Sequence, residues 1–173
     1  MTPLVERLLG EQLPDGGWNC EVENGATVSS LGTTINVLEG LLAHERAVGG
    51  SDTVSEARQR GEVYMLERRL FRRKSTGEVI DPDFLAFSFP TWWHYDVLRA
   101  LDYLRVVGLT GDDRVAEALS LVEGNRDPDG RWPLQKVHEG ETYFQMDEGV
   151  GGPSRWITLL ALRVLDWSVL GRA

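Results

Sequence analysis

Three stretches of the chain carry apolar residues at helical spacing on nearly every side: "TINVLEGLLAHERAVG" from Thr34, "HYDVLRALDYLRVVG" from His94 and "WITLLALRVLDWSVLG" from Trp156. Such all-round apolar patterning predicts helices buried on several faces. Offsets of 60 and 62 residues align Ile35 with Tyr95 and Ile157, Val37 with Val97 and Leu159, and Leu38 with Leu98 and Leu160. Between these runs lie more charged ones, predicted as helices over roughly 3–12, 53–74 and 112–124. Each opens on a threonine signal. Thr2 precedes Pro3, a favoured first helical residue, Thr53 and Glu56 have capping-box spacing, and Thr110 with Asp113 is an acidic variant of it. The 53–74 run sets Val54, Ala57, Gly61, Tyr64, Met65 and Leu66 among charges, the pattern of a one-sided surface helix. The chain therefore reads as an all-α domain over 1–173, built of three helical hairpins at about 2–50, 51–109 and 110–173. No stretch has a convincing strand pattern.

Composition narrows the function classes. The 173 residues suffice for one sizeable core, and 42% apolar with 26% charged is an ordinary globular balance. A net charge of −9 speaks against a general grip on nucleic acid or an anionic membrane surface. No apolar run approaches bilayer length and no signal pattern opens the chain, so a cytoplasmic protein without membrane insertion is expected. The lone Cys20 rules out an internal disulfide, and with three scattered histidines (His44, His94, His138) it gives no metal signature. No metal or cofactor is expected.

The turns between hairpins repeat as well. Pro14-Asp15-Gly16-Gly17-Trp18 and Pro128-Asp129-Gly130-Arg131-Trp132 are near copies, and Ser75-Thr76-Gly77-Glu78-Val79 keeps only the glycine and an apolar end. With Gln12 in front, the first copy resembles the Gln-x-x-Asp-Gly-Gly-Trp repeat of the squalene cyclase, terpenoid cyclase and protein prenyltransferase superfamily. The third departs from it, with Asn125 and Arg126 where glutamine is expected. The resemblance implies an α/α toroid of inner and outer helices, in which Gln12, Asp15, Gly16, Gly17, Trp18, Asp129, Gly130 and Trp132 are structural. It also implies an isoprenoid or other apolar ligand in a helical cavity. A family ring closes with five to seven helical pairs, whereas about three are present here.

The chemistry of that superfamily is harder to find. Alkene-protonating cyclases use an Asp-x-Asp-Asp cluster to hold one carboxyl protonated. The nearest strings here are Asp81-Pro82-Asp83-Phe84 and Asp112-Asp113. The second is most simply charge at a helix start. The first could be an acid pair including Asp83, although Asp-Pro-Asp more often makes a turn. A prenyltransferase zinc site would need Asp-x-Cys, and Trp18-Asn19-Cys20 stands in its place.

Two segments remain as candidates. From Asp81 to Leu104 aromatics crowd the second buried helix, and at 100° per residue Trp92, Asp96, Arg99 and Tyr103 share a stripe. With Trp93 and His94 beside it, the stripe reads as a pocket wall, His94 or Asp96 doing acid–base work. The competing reading is an aromatic plug with an Asp96–Arg99 ion pair on its rim. From Phe144 to Trp156, Asp147 and Glu148 precede a glycine-rich approach to the third buried helix, with Ser154 placed to cap it. Glu148, Arg155 and Trp156 are the ligand candidates there, the free N–H groups of the helix start offering a phosphate site; a capped helix after a loop is the plainer reading.

These readings favour a cyclase-like or prenyltransferase-like protein handling an apolar ligand. A non-catalytic binding or assembly module on the same scaffold is one alternative. Another is a carbohydrate-active α/α barrel using Asp83 and Glu148. Three strongly apolar hairpins with little polar capping predict either a homodimer or membership of a longer toroid.

Overall fold

The computed structural model describes residues 2–170 and is mostly helical. It divides into two compact units, one ending at Arg68 and the other beginning at Arg69.

The first unit contains α1 (Pro3–Gly10), a 3₁₀ turn at Val22–Asn24, α2 (Leu31–Val48) and α3 (Asp52–Leu66). Helix α2 buries Leu31, Ile35, Val37, Leu38 and Leu41 and packs against α3, which buries Val54, Ala57, Tyr64, Met65 and Leu66. Gly61 permits the approach. A Cβ there would lie 2.8 Å from both the Leu38 side chain and the Trp18 ring. Ser51, rather than Thr53, caps α3 by accepting from the Val54 N–H. The helix expected to reach residue 74 ends at Leu66, because Arg69 and Leu70 adopt positive φ values of 46° and 71°. That reversal turns Leu70 and Phe71 into the core of the second unit, where both are essentially inaccessible.

The second unit starts with irregular chain containing a 3₁₀ turn at Pro82–Leu85, then α4 (Val97–Val107). A 3₁₀ turn at Asp113–Val115 leads into α5 (Ala116–Gly124). The strands β1 (Trp132–Pro133) and β2 (Pro153–Ser154) form one short antiparallel pair, unexpected from the residue pattern, before α6 (Arg155–Leu170). Helix α6 packs on α4 and α5. The α4 expected from His94 begins only at Val97, because Asp96 caps it by accepting from the Arg99 N–H at 2.8 Å. The stripe drawn through Trp92, Asp96, Arg99 and Tyr103 is therefore broken. Trp92 lies outside the helix with φ +48°, Asp96 is its cap, and Tyr103 is in the core.

Both turn motifs carry the same hydrogen bonds. In the first, Leu13 N–H donates to Gly17 O, Gly16 N–H to Leu13 O, Trp18 N–H to Thr34 Oγ1 and the Trp18 indole to Leu8 O. In the second, Asp127 N–H donates to Arg131 O, Gly130 N–H to Asp127 O, Trp132 N–H to Thr158 Oγ1 and the Trp132 indole to Val122 O. Gln12 donates to Gly16 O and Ala57 O, and Asp15 accepts from the Ser29 N–H and hydroxyl. Asp129, in contrast, is exposed and among the described residues meets only Arg131, at 3.2 Å. The helix caps also reset the repeat register. Ser30, Asp96 and Ser154 occupy equivalent places at the starts of α2, α4 and α6, so Thr34, Ala100 and Thr158 correspond. The apolar columns at 60 and 62 were offset from this frame, since a helix with apolar residues on most faces admits several alignments.

Candidate functional site

The approach to α4 gathers the first cluster. Ser88 and Asp96 are almost wholly buried, and Asp96 Oδ2 accepts from Ser88 N–H at 3.3 Å and from its hydroxyl at 3.2 Å. His138 Nε2 lies 3.0 Å from Ser88 Oγ. With the Ser88 hydroxyl donating to Asp96, its oxygen is placed to accept from His138 Nε2. The His138 ring lies flat on that of His94, centroids 3.6 Å apart and planes 5° apart. Trp93 also stacks on His94, centroids 5.0 Å apart. Trp92 and Trp93 are 42% and 65% exposed, so two indoles face solvent beside a paired imidazole.

Charge around this cluster is organised. Arg99, half-buried, donates from Nη1 to His94 O at 2.6 Å. Lys136 pairs with Asp83. That ammonium holds the Asp83 carboxyl below its usual range, which suits an anion and not a proton donor. Asp81 accepts from the Asp83 N–H and caps the 3₁₀ turn, so the Asp-Pro-Asp string is a turn and not an acid pair. Burial pushes the Asp96 carboxyl up, against the pull of its hydrogen bonds and of Arg99. Burial, with help from His94 and Lys136, pushes the His138 imidazole down.

The second cluster sits at the start of α6. Ser154 caps the helix through the Ile157 N–H, while Asp147 accepts from the Ser154 hydroxyl at 2.6 Å and from the Arg155 N–H at 3.3 Å. The carboxylate of Asp147 thus fills the place where a phosphate was considered. Glu148 and Arg155 border an open cleft of about 480 Å³ whose floor includes Leu159 and Leu162. Trp156 leaves that cleft and stacks on Phe89, centroids 5.1 Å apart, with its indole nitrogen buried and unpartnered among the described residues. Phe89 follows Ser88 in the chain, so the Phe89–Trp156 contact ties the two clusters together.

His94, Asp96, Trp92, Trp93 and Arg99 are therefore brought together, Asp83 borders them through Lys136, and Glu148 and Arg155 stand at the α6 cleft. Tyr103 belongs to the packed face of α4. Ser88 and His138 are the participants sequence reading missed. They meet across 50 residues through the Ser88–Lys136 bridge, a pairing without local signal. Among the described residues no group of three His, Cys, Asp or Glu side chains is disposed to hold a metal ion, and no helix is long and apolar enough to cross a membrane.

No protein-family model, curated protein or solved structure matches this chain.

Proposed function

We propose that this chain is a helical-hairpin protein of the α/α-toroid type, similar to squalene cyclases and protein prenyltransferases, that binds an isoprenoid or other apolar ligand. The observation that carries the reading is the shared hydrogen-bond set of the two Asp-Gly-x-Trp turns. Each anchors a buried indole to the helix before it and to a threonine of the helix after it. That is the stitching job the resemblance assigns to the motif.

The ligand face is the Trp92–Trp93–His94 surface of the second unit. Two exposed indoles offer flat apolar area and a negative ring face, which suit an alkene chain or a carbocation-like group. His94 and His138 are the acid–base groups within reach of that face, and the buried Asp96 orients His138 through Ser88. Titration with geranylgeranyl diphosphate and with squalene, followed by tryptophan fluorescence, tests this. Saturable quenching is expected, weakened about tenfold, or ~1.4 kcal/mol, by Trp92→Ala with Trp93→Ala. Failure of every prenyl or hydrocarbon ligand to saturate would reject the reading.

An assembly role is favoured by a separate observation. Leu159, Leu162 and Val169 are 42%, 38% and 68% exposed along one side of α6. Spacing of three and seven residues makes them a stripe suited to another helix. In the dimer or longer-toroid reading this stripe is covered; light scattering that gives a monomer with no dye-accessible apolar surface would exclude it.

A further inference from the structure

Residues 137–146 cross the ligand face with unusually few ties. Immediately before them, Gln135 and Lys136 are anchored by N–H bonds to Phe87 O, and Leu134 is bonded to the chain at Gly151 and Gly152. Beyond Lys136 this stops. Among the described residues no backbone hydrogen bond engages 137–146. Val137, Tyr143 and Phe144 turn 57%, 106% and 64% of their surface to solvent, and of the apolar side chains only Met146 at the far end is half-buried. Gln145 donates only to Asp147 O at the segment's own end, at 2.9 Å, and among the described residues two contacts tie the segment to the ligand face. His138 lies on His94 and bonds Ser88, and Gly140 lies so close beneath Trp92 that a Cβ would stand 3.3 Å from the indole.

We propose that 137–146 is a strap over the Trp92–His94 face, latched by the His94–His138 stack and released when both imidazoles are protonated. One proton is tolerable, because an imidazolium over a neutral ring is attractive and His138 keeps its Nε2–H bond to Ser88. A second is not, because two cations 3.6 Å apart repel strongly in a half-buried setting. Among the described residues the nearby anions are already matched. Asp83 from the 3₁₀ turn is matched by Lys136, and Asp96 at the start of α4 is committed to Ser88, the Arg99 N–H and the nearby Arg99 charge. Glu139 and Glu141 of the strap itself are solvent-exposed, where screening weakens their help. The low-lying imidazole of His138 places the opening below the ordinary histidine range rather than at it. The latch rests on this geometry alone, whatever ligand the face takes.

Spin labels at Tyr143→Cys on the strap and Ser120→Cys on α5, in a Cys20→Ser background, report the distance across it by pulsed electron resonance. At pH 7.5 a narrow distribution is expected, and at pH 4.5 one at least twice as wide and shifted outward. Histidine proton resonances in the same samples should place the change at the second imidazole proton. His94→Phe keeps a stacked ring that cannot be charged, so its distribution should stay narrow at both pH values. His138→Gln removes the latch ring and should be wide at both. An unchanged wild-type distribution between pH 7.5 and 4.5 overturns the proposal, and so does a His94→Phe strap that opens as the wild type does. Circular dichroism at both pH values separates strap release from unfolding, and global unfolding by pH 4.5 in the wild type also counts against it.

Discussion

Trp18 and Trp132 stand in the same relation to their helices: each indole N–H bonds the carbonyl ten residues earlier, Leu8 O at 2.7 Å and Val122 O at 2.6 Å. Each also gives its backbone N–H to a threonine hydroxyl on the following buried helix, Thr34 or Thr158, at 3.0 Å. The ring fills the core while its one polar atom closes off the carbonyl of a helix end. The tryptophan makes the same bonds in both copies, although Asp15 meets Ser29 and Asp129 meets Arg131.

Trp18 is 2% exposed, and Trp18→Ala should cost about 3–5 kcal/mol through lost packing and the cavity left behind. Trp132→Phe keeps most of the ring and removes one of the two donors to Val122 O, which still accepts from the Asn125 N–H at 3.2 Å, and should cost about 0.5–1.5 kcal/mol. Urea denaturation checks both; a Trp18→Ala protein melting like wild type removes the stitching role.

The two glycines of the first motif are needed for different reasons. Gly16 sits at φ +95° with Arg60 O 2.8 Å from a would-be Cβ, whereas a Cβ at Gly17 would stand 2.6 Å from Thr34 Oγ1. Gly16→Ala meets both left-handed strain and backbone, so it should destabilise by about 1–3 kcal/mol. Gly25→Ala, at φ +94° in open space, isolates the strain alone and should cost less. Equal losses at the two positions, measured in urea, would show that the Arg60 contact is irrelevant.

Tyr64 donates its hydroxyl to Ser29 O at 2.6 Å, and burial pushes its pKa up to about 12. An unfolded tyrosine ionises near pH ~10, so the folded state holds the extra proton between those values. The stability this contributes is complete below pH ~10 and drains away as pH rises toward 12. Tyr64→Phe should be less stable at neutral pH yet show a flatter alkaline limb in thermal melts from pH 8 to 11. An identical alkaline slope in the two proteins would contradict the assignment.

Asp96 has the opposite sense from most carboxylates. Its folded pKa is raised, so the stability it contributes is greatest below the unfolded value and is lost as pH rises through the folded one. Asp96→Asn removes that titration while leaving an oxygen to cap the Arg99 N–H. The wild type should therefore gain on the variant as pH falls from 7 towards 4. Melting temperatures of the pair across that range are the check, and a gap that narrows on acidification would refute it.

The purified 173-residue chain should not cyclise squalene or geranylgeranyl diphosphate by alkene protonation. Its nearest acid string is a capped turn, and Asp83 is an anion held by Lys136. Gas chromatography of extracted products tests this, and a cyclic hydrocarbon or alcohol formed by the chain alone would refute it.

What the sequence determined by itself was local. Apolar spacing placed three helices, although among its described residues α6 buries only Ile157, Ala161 and Val164 and leaves Leu159, Leu162 and Val169 exposed, and the Asp-Gly-x-Trp strings marked two turns whose hydrogen bonds close within a few residues. Capping followed the same logic at Ser154, where a short side chain meets the next turn's N–H groups. Tertiary structure decided what depended on distant partners. Asp96 lost its place in a helical stripe because Ser88 and the Arg99 N–H claim its two oxygens, making it a cap. The 53–74 helix stopped at Leu66 because two residues in left-handed conformation deliver Leu70 and Phe71 to a core that spacing along one helix cannot foresee. His138 reached Ser88 and His94 only through pairing across 50 residues. Periodicity records which face a residue takes on its own element, whereas contacts between elements are set by packing and charge and leave no regular spacing in the chain.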